Sequence, residues 1–500
     1  MKFLGSLALI AACAVGIASC KKEEPTNNNN QSVVEEQILF GKDGNQIGNG
    51  DQEFEIKGTH TIKKGTYLLK GWVYITNGAT LTIEPGTVIK GDKETKAALV
   101  VEPGGKLFAK GTATEPIVFT SAQEKGKRKP GDWGGLVVCG RATNNKQAMI
   151  IEGGPRTTHG GNDDDDNSGI ISYVRVEFAG YPFKVDQEIN GITFGSVGRG
   201  TQIDHVQVSY SNDDSFEWFG GSVNCKYLVA YHGWDDDFDT DNGFSGKLQF
   251  LLGVRNPKLG DQSLSNGFES DNNADGSTSE PYTTCTFSNV TLVGPIGQDA
   301  DFKNNTEYIN GGTLNPNNGS RTGQFQAAMH IRRNSKLNCF NSVAMGYPVG
   351  LILDNEKGTT QKWATDDNLA IKNVYFAKMD AIGSDINKKL TDRYSTDGKN
   401  EDPDITKVSF SHTYFLKDGL NNRYFDAISG LGLKQPNSMQ ANPNWGPVSG
   451  SPLLGVANFN DSRLSSGFEK VTYIGAFASD SDADNWMNGW TNFDPQNTDY

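Results

Sequence analysis

Eight carboxylates lie between positions 213 and 241: Asp213, Asp214, Glu217, Asp235, Asp236, Asp237, Asp239 and Asp241. Lys226 is the only Lys or Arg among them. Such a concentration of oxygen donors suits a hard cation, because calcium takes about six to eight oxygens and prefers carboxylates and carbonyls. It also suits sugar hydrolysis, in which two carboxyl groups flank the scissile bond, roughly 6.5–9.5 Å apart when the reaction inverts. A third use is structural: Asp and Asn at turns accept hydrogen bonds from nearby backbone N–H groups, as Asp214, Asp236 and Asn266 would if stacked at one turn position. A second acidic run, Asp163 to Asp166, sits between Gly160-Gly161 and Ser168-Gly169. It lacks EF-hand spacing and reads as a solvated loop.

The elements that carry these residues decide which of them share a face. Six segments align: Asn190-Gly-Ile-Thr-Phe, Asp214-Ser-Phe-Glu-Trp, Asp236-Asp-Phe-Asp-Thr, Asn266-Gly-Phe-Glu-Ser, Ala328-Met-His-Ile and Gly350-Leu-Ile-Leu. One column reads Ile192, Phe216, Phe238, Phe268, Met329, Leu351. Two residues on, the column reads Phe194, Trp218, Thr240, Ser270, Ile331, Leu353. Alternate residues of a strand share a face, so these columns point inward. The interleaved columns point outward: Thr193, Glu217, Asp239, Glu269, His330, Ile352 and Gly195, Phe219, Asp241, Asp271, Arg332, Asp354. Stacked strands lie about 4.8 Å apart. Glu217, Asp239 and Glu269 then form a vertical row with Asp241 and Asp271 beside it, and these five are the candidate calcium ligands. Like charges at that spacing repel by about 1 kcal/mol per pair even in water, so a cation, or His330 and Arg332, should offset them.

Apolar-inside, charged-outside strands at a spacing near 20 residues indicate a solenoid. Val206-Gln-Val-Ser repeats as Leu228-Val-Ala-Tyr 22 residues on, and Thr82-Ile-Glu-Pro-Gly86 as Val100-Val-Glu-Pro-Gly104 after 18. Long 3.6-periodic stretches are absent from the body. The fold class is therefore all-β, a parallel β-helix over about residues 51–380, right-handed by crossover chirality. Residues 381–500 read as further rungs and an irregular cap. Within them Asn387 to Asp402 suits a loop, Val408 to Phe415 a strand, and Leu416 to Leu431 a short helix. Trp486, Trp490 and Phe493 suit a cover for the open end. Phe219, Tyr231 and Trp234 are aromatic surfaces on which neutral sugars could stack beside Asp and Asn.

The 500 residues carry a net charge of −14, and no basic stripe appears, which argues against nucleic acid and against an anionic membrane surface. At the start, Lys2 precedes an apolar run from Leu4 to Ile17, too short for a span and suited to a secretory signal over residues 1–19. Ile17-Ala-Ser-Cys20 resembles a bacterial lipobox, which would make Cys20 the lipidated first residue of the mature chain. Lys21-Lys-Glu-Glu24 and the Asn run that follows suit a flexible tether over residues 20–50. Cys139, Cys225, Cys285 and Cys339 form no C-x-x-C pair; the compartment permits disulfides, and their apolar strand settings favour buried thiols.

Several blocks resemble a family of Bacteroidota surface lipoproteins with a pectin-lyase-like right-handed parallel β-helix. They are Gly131-Asp-Trp-Gly-Gly-Leu136, the stretch from Ser168 to Gly180, Asp213 to Gly221, Asp235 to Gly246, and the closing stretch from Gly489 to Tyr500. The resemblance implies lipid anchoring at the outer membrane and cell-surface display, and it brings no activity with it. A neighbouring outer-membrane transporter is implied only by the habit of such families. Asp239-Thr-Asp241 and His330-Ile-Arg332 echo part of the β-helix polygalacturonase pattern, but its Asn-Thr-Asp, Asp-Asp, Gly-His-Gly and Arg-Ile-Lys set is not reproduced. On that echo the candidate catalytic residues are Asp239, Asp241, Asp271, His330 and Arg332. The leading expectation is a surface module binding a glycan, a peptide or a partner protein, with calcium as the one expected cofactor and no organic one. A carbohydrate-active enzyme and a structural envelope or adhesion component are the alternatives.

Overall fold

The computed structural model describes residues 37–184, 187–299, 301–436 and 443–500. Over these the chain winds as a parallel β-helix with one sheet of sixteen strands and a second of eleven. The aligned columns become strand register. In the second sheet Ile192 pairs with Phe216, Phe216 with Phe238, Phe238 with Phe268, Phe268 with Met329 and Met329 with Leu351. All six side chains are fully buried. Phe216 and Phe238 stack at 5.7 Å, and Phe268 meets Phe238 edge-on at 5.9 Å. Val206 pairs with Leu228 in the long sheet, as the 22-residue repeat requires.

The rung changes shape along the axis. In the early rungs the long sheet takes two short strands per turn, such as Lys106–Lys110 and Ile117–Ser121. Both pair with the single strand Gly169–Glu177, the first before Tyr173 and the second after it. From there on the two short strands are fused around one residue with positive φ. Tyr173, His205, Tyr227, Phe250, Asn289, Asn341 and Asn373 occupy that position in successive rungs. Asn tolerates this left-handed conformation, whereas aromatic residues are held there at a cost. The aromatic members offset it by stacking, at 4.3 Å from Tyr173 to His205, 4.5 Å to Tyr227 and 5.1 Å to Phe250.

The C-terminal segment lies against this column and not over the open end. Asn373, Asn341 and Asn289 donate side-chain N–H groups to the carbonyls of Val456, Asn458 and Tyr473. Gln249 and Gln207 do the same to Glu469 and Asn492. Trp490 sits edge-on to Tyr173 and His205, and Trp486 against Tyr227. Trp486, Trp490 and Phe493 therefore belong to a lateral strap that covers the outer face of the long sheet. For Trp486, Trp490 and Phe493 the expected end cap is corrected accordingly: the side-chain amides on the outer face of the long sheet are what the strap satisfies.

Other expectations change as well. Val408 to Phe415 is not a strand; Phe410–Phe415 is a helix. Ser409 caps it by accepting from His412 N, and Asp385 accepts from the N–H groups of Phe410 and Ser411. Its alternation also places Ser411 and Phe415 one turn apart, and Phe415 stacks on Phe376 at 4.1 Å. In Leu416 to Leu431 only Ile428–Leu431 is helical, as a 3-10 turn, while Arg423–Phe425 adds a strand to the long sheet. Ordered structure starts before residue 51: Leu39–Phe40 and Gln46–Ile47 are paired strands, and Ile38 and Ile47 are buried, so this part is not a tether. The two Glu-Pro-Gly turns follow strands of different sheets, so their 18-residue spacing is not a rung; Trp72 and Ala98, 26 residues apart, are true neighbours. Cys139, Cys225, Cys285 and Cys339 are buried free thiols. The signal segment and Cys20 lie outside the described residues. No helix among the described residues is long and apolar enough to cross a membrane.

Candidate functional site: an acidic cleft on the second sheet

With the long sheet strapped, the outer face of the second sheet carries the main concavity, a cleft of about 780 Å³. Each strand lends it outward residues between inward anchors. Phe216–Gly221 presents Glu217, Phe238–Asp241 presents Asp239 and Asp241, and Phe268–Ser270 presents Glu269. The turns before the first two strands add Asp213, Asp214, Asp235 and Asp236, and the turn after the third adds Asp271. The turn residues are tied by a ladder along the rung corners. Asp214 Oδ1 accepts from Asp236 N at 2.8 Å, Asp236 Oδ1 from Asn266 N at 2.5 Å, and Asn266 Oδ1 from Ala327 N at 3.0 Å. One oxygen of each carboxylate is thus spent on folding.

The cationic counterweight sits at one end. Arg332 bonds both Glu269 and Asp271, the latter at 2.9 Å, and Arg333 reaches Asp271 at 2.6 Å. Glu217 accepts from Asn190. Asp239 Oδ1 is buried with no hydrogen-bond partner, as is Asp235 Oδ1. Donor oxygens lie within 4.8 Å of one another in three overlapping triads: Asp213, Asp214 and Asp235; Asp214, Glu217 and Asp239; Asp236, Asp239 and Glu269.

A model of the pectate-lyase like beta helix domain matches residues 55–413. The chain belongs to the pectate-lyase-like β-helix family. No curated protein and no solved structure matches it in the same comparisons.

In this family member the cleft's electrostatics follow from burial and crowding. Burial first, then the neighbouring carboxylates, push Asp214, Glu217, Asp235 and Asp239 well above the usual carboxylate range. Asp236 is raised in the same way by burial and Glu269. Asp241 rises to about 7 through burial and Asp271. Glu269 goes the other way: burial opposes its ionisation, but Arg332 and His330 outweigh that and hold it at about 2.

The donors fit a divalent cation. They are all oxygens, their mutual separations match calcium–oxygen bonds of about 2.3–2.6 Å on opposite sides of an ion, and Asp239, which carries a buried oxygen without a hydrogen-bond partner, belongs to two triads. Of the five expected ligands, Glu217, Asp239 and Glu269 enter triads. Asp271 is committed to Arg332 and Arg333, and Asp241 accepts from Asn242 N. The sequence assigns Asp214 and Asp236 to a turn position and gives Asp213 and Asp235 no individual role; their position two and three residues before the strand is the signal that they stack beside it.

Of the five catalytic candidates, Asp239, Asp241, Asp271 and Arg332 line the cleft. His330 does not. It is fully buried behind Glu269, with Nε2 2.7 Å from Asp354 and Nδ1 3.5 Å from Glu269. Burial lowers its pKa, but these two carboxylates raise it on balance. The outward columns are therefore not uniformly exposed: Thr193, Ile352 and Asp354 are buried too, because loops and hairpins form a second layer over parts of this sheet. Phe219, Tyr231 and Trp234 are also buried. The half-exposed aromatic surface at the cleft is Phe183, from the short strand Pro182–Lys184, which packs edge-on against Trp72 at 4.7 Å. A short aromatic inside a polar loop gave no periodic signal. In the Asp163 to Asp166 loop, Arg199 pairs with Asp164 and Asp165, and Asp166 is buried against Arg141 N.

Proposed function

We propose that this protein binds a carbohydrate in the acidic cleft through divalent cations, calcium first among them. The observation that carries the reading is the set of three carboxylate triads sharing Asp214 and Asp239 at the base of a cleft large enough for an oligosaccharide. Bound calcium would supply a positive centre for sugar hydroxyls or carboxylates. The chain's own residues would do the rest: Phe183 and the covered edge of Phe219 give an apolar wall, and Asn212, Asn318 and Ser320 offer hydrogen-bonding side chains around it. The membership in a pectate-lyase-like family is consistent with a carbohydrate-related or binding role. We further read the protein as lipid-anchored through Cys20 and displayed at the outer membrane, on the lipobox-like Ile17-Ala-Ser-Cys20 and the charged residues after it. Calcium titration by calorimetry, followed by gel retardation on a panel of neutral and acidic polysaccharides with calcium or EGTA, tests the binding. Retardation that is indifferent to EGTA, or no calcium heat, would reject it.

One observation favours a second reading, hydrolysis. Burial and the neighbouring carboxylates push Asp239 up while Arg332 and His330 hold Glu269 down, the divergence of environments that separates an acid from a base or nucleophile. Release of reducing ends from a polysaccharide, abolished in Asp239→Asn, would establish it.

A further inference from the structure

The acidic cleft does not end at Arg333. It opens there into a second concavity of about 550 Å³, and Arg333, Asn387 and Lys388 line both. The charge reverses across that boundary. Arg333, Lys357, Lys388 and Lys399 converge on the second pocket, against a single carboxylate, Glu356. Lys388 and Lys399 form no ion pair with any carboxylate among the described residues. This contrasts with neighbouring Lys389, which is paired to Glu401. The nearby Asp397 is turned away from the pocket's task, accepting from Lys399 N, Asn400 N and Ser395 Oγ. Arg333 is paired with Asp271 and Lys357 Nζ donates to Ala274 O at 2.9 Å, but Lys388 and Lys399 beside them, in a chain of net charge −14, attract anions that the rest of the surface repels.

The donor types narrow the anion. Three of the four cations are lysines, compact point charges with rotatable donors. The one guanidinium already gives Nη1 to Asp271 at 2.6 Å, so one side of its fork is taken. Gly398 is buried at the wall, its φ of 69° placing the loop backbone close to Glu356 N. We propose that this basic pocket binds a tetrahedral oxyanion, the sulfate or phosphate ester of a saccharide whose uncharged part lies in the acidic cleft. The strand from Phe216 and the strand ending at Ser384 are five rungs apart in the second sheet. At about 4.8 Å per rung the two subsites suit a chain of several sugars laid along the axis. The placement of that chain rests on the binding reading above; the oxyanion pocket itself does not.

The test is therefore made in EGTA, where the cation triads are empty and only the basic pocket can act. Full-length protein is titrated with dextran sulfate, dextran phosphate, unmodified dextran and polygalacturonate of matched length. Lys388→Glu/Lys399→Glu is compared with Lys110→Glu/Lys470→Glu, two exposed lysines remote from the cleft, and with Lys388→Ala/Lys399→Ala as the milder form. The expected result is binding of one or both esters at least tenfold tighter than of polygalacturonate or dextran. That binding should fall at least tenfold in both 388/399 variants and less than threefold in the control pair, and calcium heats, titrated separately without EGTA, should be unchanged throughout. The sulfate and phosphate arms then name the ester. Equal binding of polygalacturonate, equal losses in the control pair, or ester binding that survives both 388/399 variants would overturn the proposal. Loss of calcium heats with ester binding intact would instead remove the cation reading and leave the oxyanion pocket standing.

Discussion

Asp239→Asn probes the cleft most directly. Asp239 belongs to two triads, so its carboxylate faces Asp214, Glu217, Asp236 and Glu269 with donor oxygens within 4.8 Å. At an effective dielectric constant of about 20, two unit charges at that distance repel by about 3 kcal/mol. Arg332 neutralises Glu269, which leaves three such pairs and about 10 kcal/mol were all to ionise together. That rivals the whole stability of a folded protein, about 5–15 kcal/mol. The metal-free protein must therefore keep protons in the cleft, and a divalent cation would displace them. Asparagine has the same shape, carries no charge and donates to the carboxylate beside it. In EGTA at pH 8 the variant should melt about 2–5 °C higher than the wild type. In calcium the wild type should gain stability by selective binding to the native state, and the variant should not. Differential scanning calorimetry with EGTA and with calcium reads both effects. A variant that melts lower than wild type in EGTA, or that keeps the full calcium shift, would refute the reasoning.

Four other outcomes follow from the same structure. The Asp241 carboxyl, raised from 3.8 to about 7, contributes stability that is present below about pH 4 and lost as pH rises through about 7. About three units at 1.4 kcal/mol each, discounted for the solvent this side chain retains, give roughly 2–4 kcal/mol, so the metal-free melting temperature should fall between about pH 4 and about pH 7. Phe238→Asp, which puts a charge between Phe216 and Phe268, should cost about 4 kcal/mol or more and yield insoluble protein. Trp490→Ala should cost about 3–5 kcal/mol in chemical denaturation while leaving calcium affinity unchanged, because its contacts lie on the strapped sheet. Phe183→Ala should weaken polysaccharide retardation at least fivefold with calcium heats intact, since it lines the cleft without belonging to a triad.

The two-residue period made much of this legible. A strand's inside and outside are fixed by parity, so aligning Phe216, Phe238 and Phe268 fixed the register of Glu217, Asp239 and Glu269 as well. Parity says nothing about what lies above a strand. Thr193 is the instructive case: it points outward in the alignment, yet it is buried beneath a second layer and bonded by Asn190 Nδ2 at 3.3 Å. A charge placed there would meet Glu217 one rung away, so Thr193→Asp is costly where exposure would have made it mild. Tyr231 and Trp234 were misplaced for the same reason. The helix Phe410–Phe415 was hidden because Val408, Phe410 and Tyr414 fit a strand's alternation while Phe410 and Tyr414 fit a helical turn equally, and the deciding group, the Asp385 carboxylate at its N-terminus, is distant in sequence. The strap left no periodic trace either, since it is held by side-chain donors of Asn and Gln reaching its carbonyls.

The division of labour between the two sheets follows from which side chains recur at the outer positions. The long sheet repeats a left-handed residue, first aromatic and then Asn, whose amide or ring needs a partner, and the C-terminal strap supplies one in nearly every rung from Asn373 back to Tyr173. A strand face bonded this way is covered by the strap. The second sheet repeats carboxylates instead, and these cannot be satisfied by a strap of backbone carbonyls, because acceptors do not pair with acceptors. Covering that face would have required cations, and of the cleft's basic residues, Arg321, Arg332, Arg333 and Lys388, only Arg332 and Arg333 are ion-paired to its carboxylates among the described residues, both at the end nearest the basic pocket. The acidic face must therefore take protons, metal ions or ligand donors from outside the protein. The stacked Phe216, Phe238 and Phe268 beneath it, fully buried, are what hold the strands in place against the repulsion above.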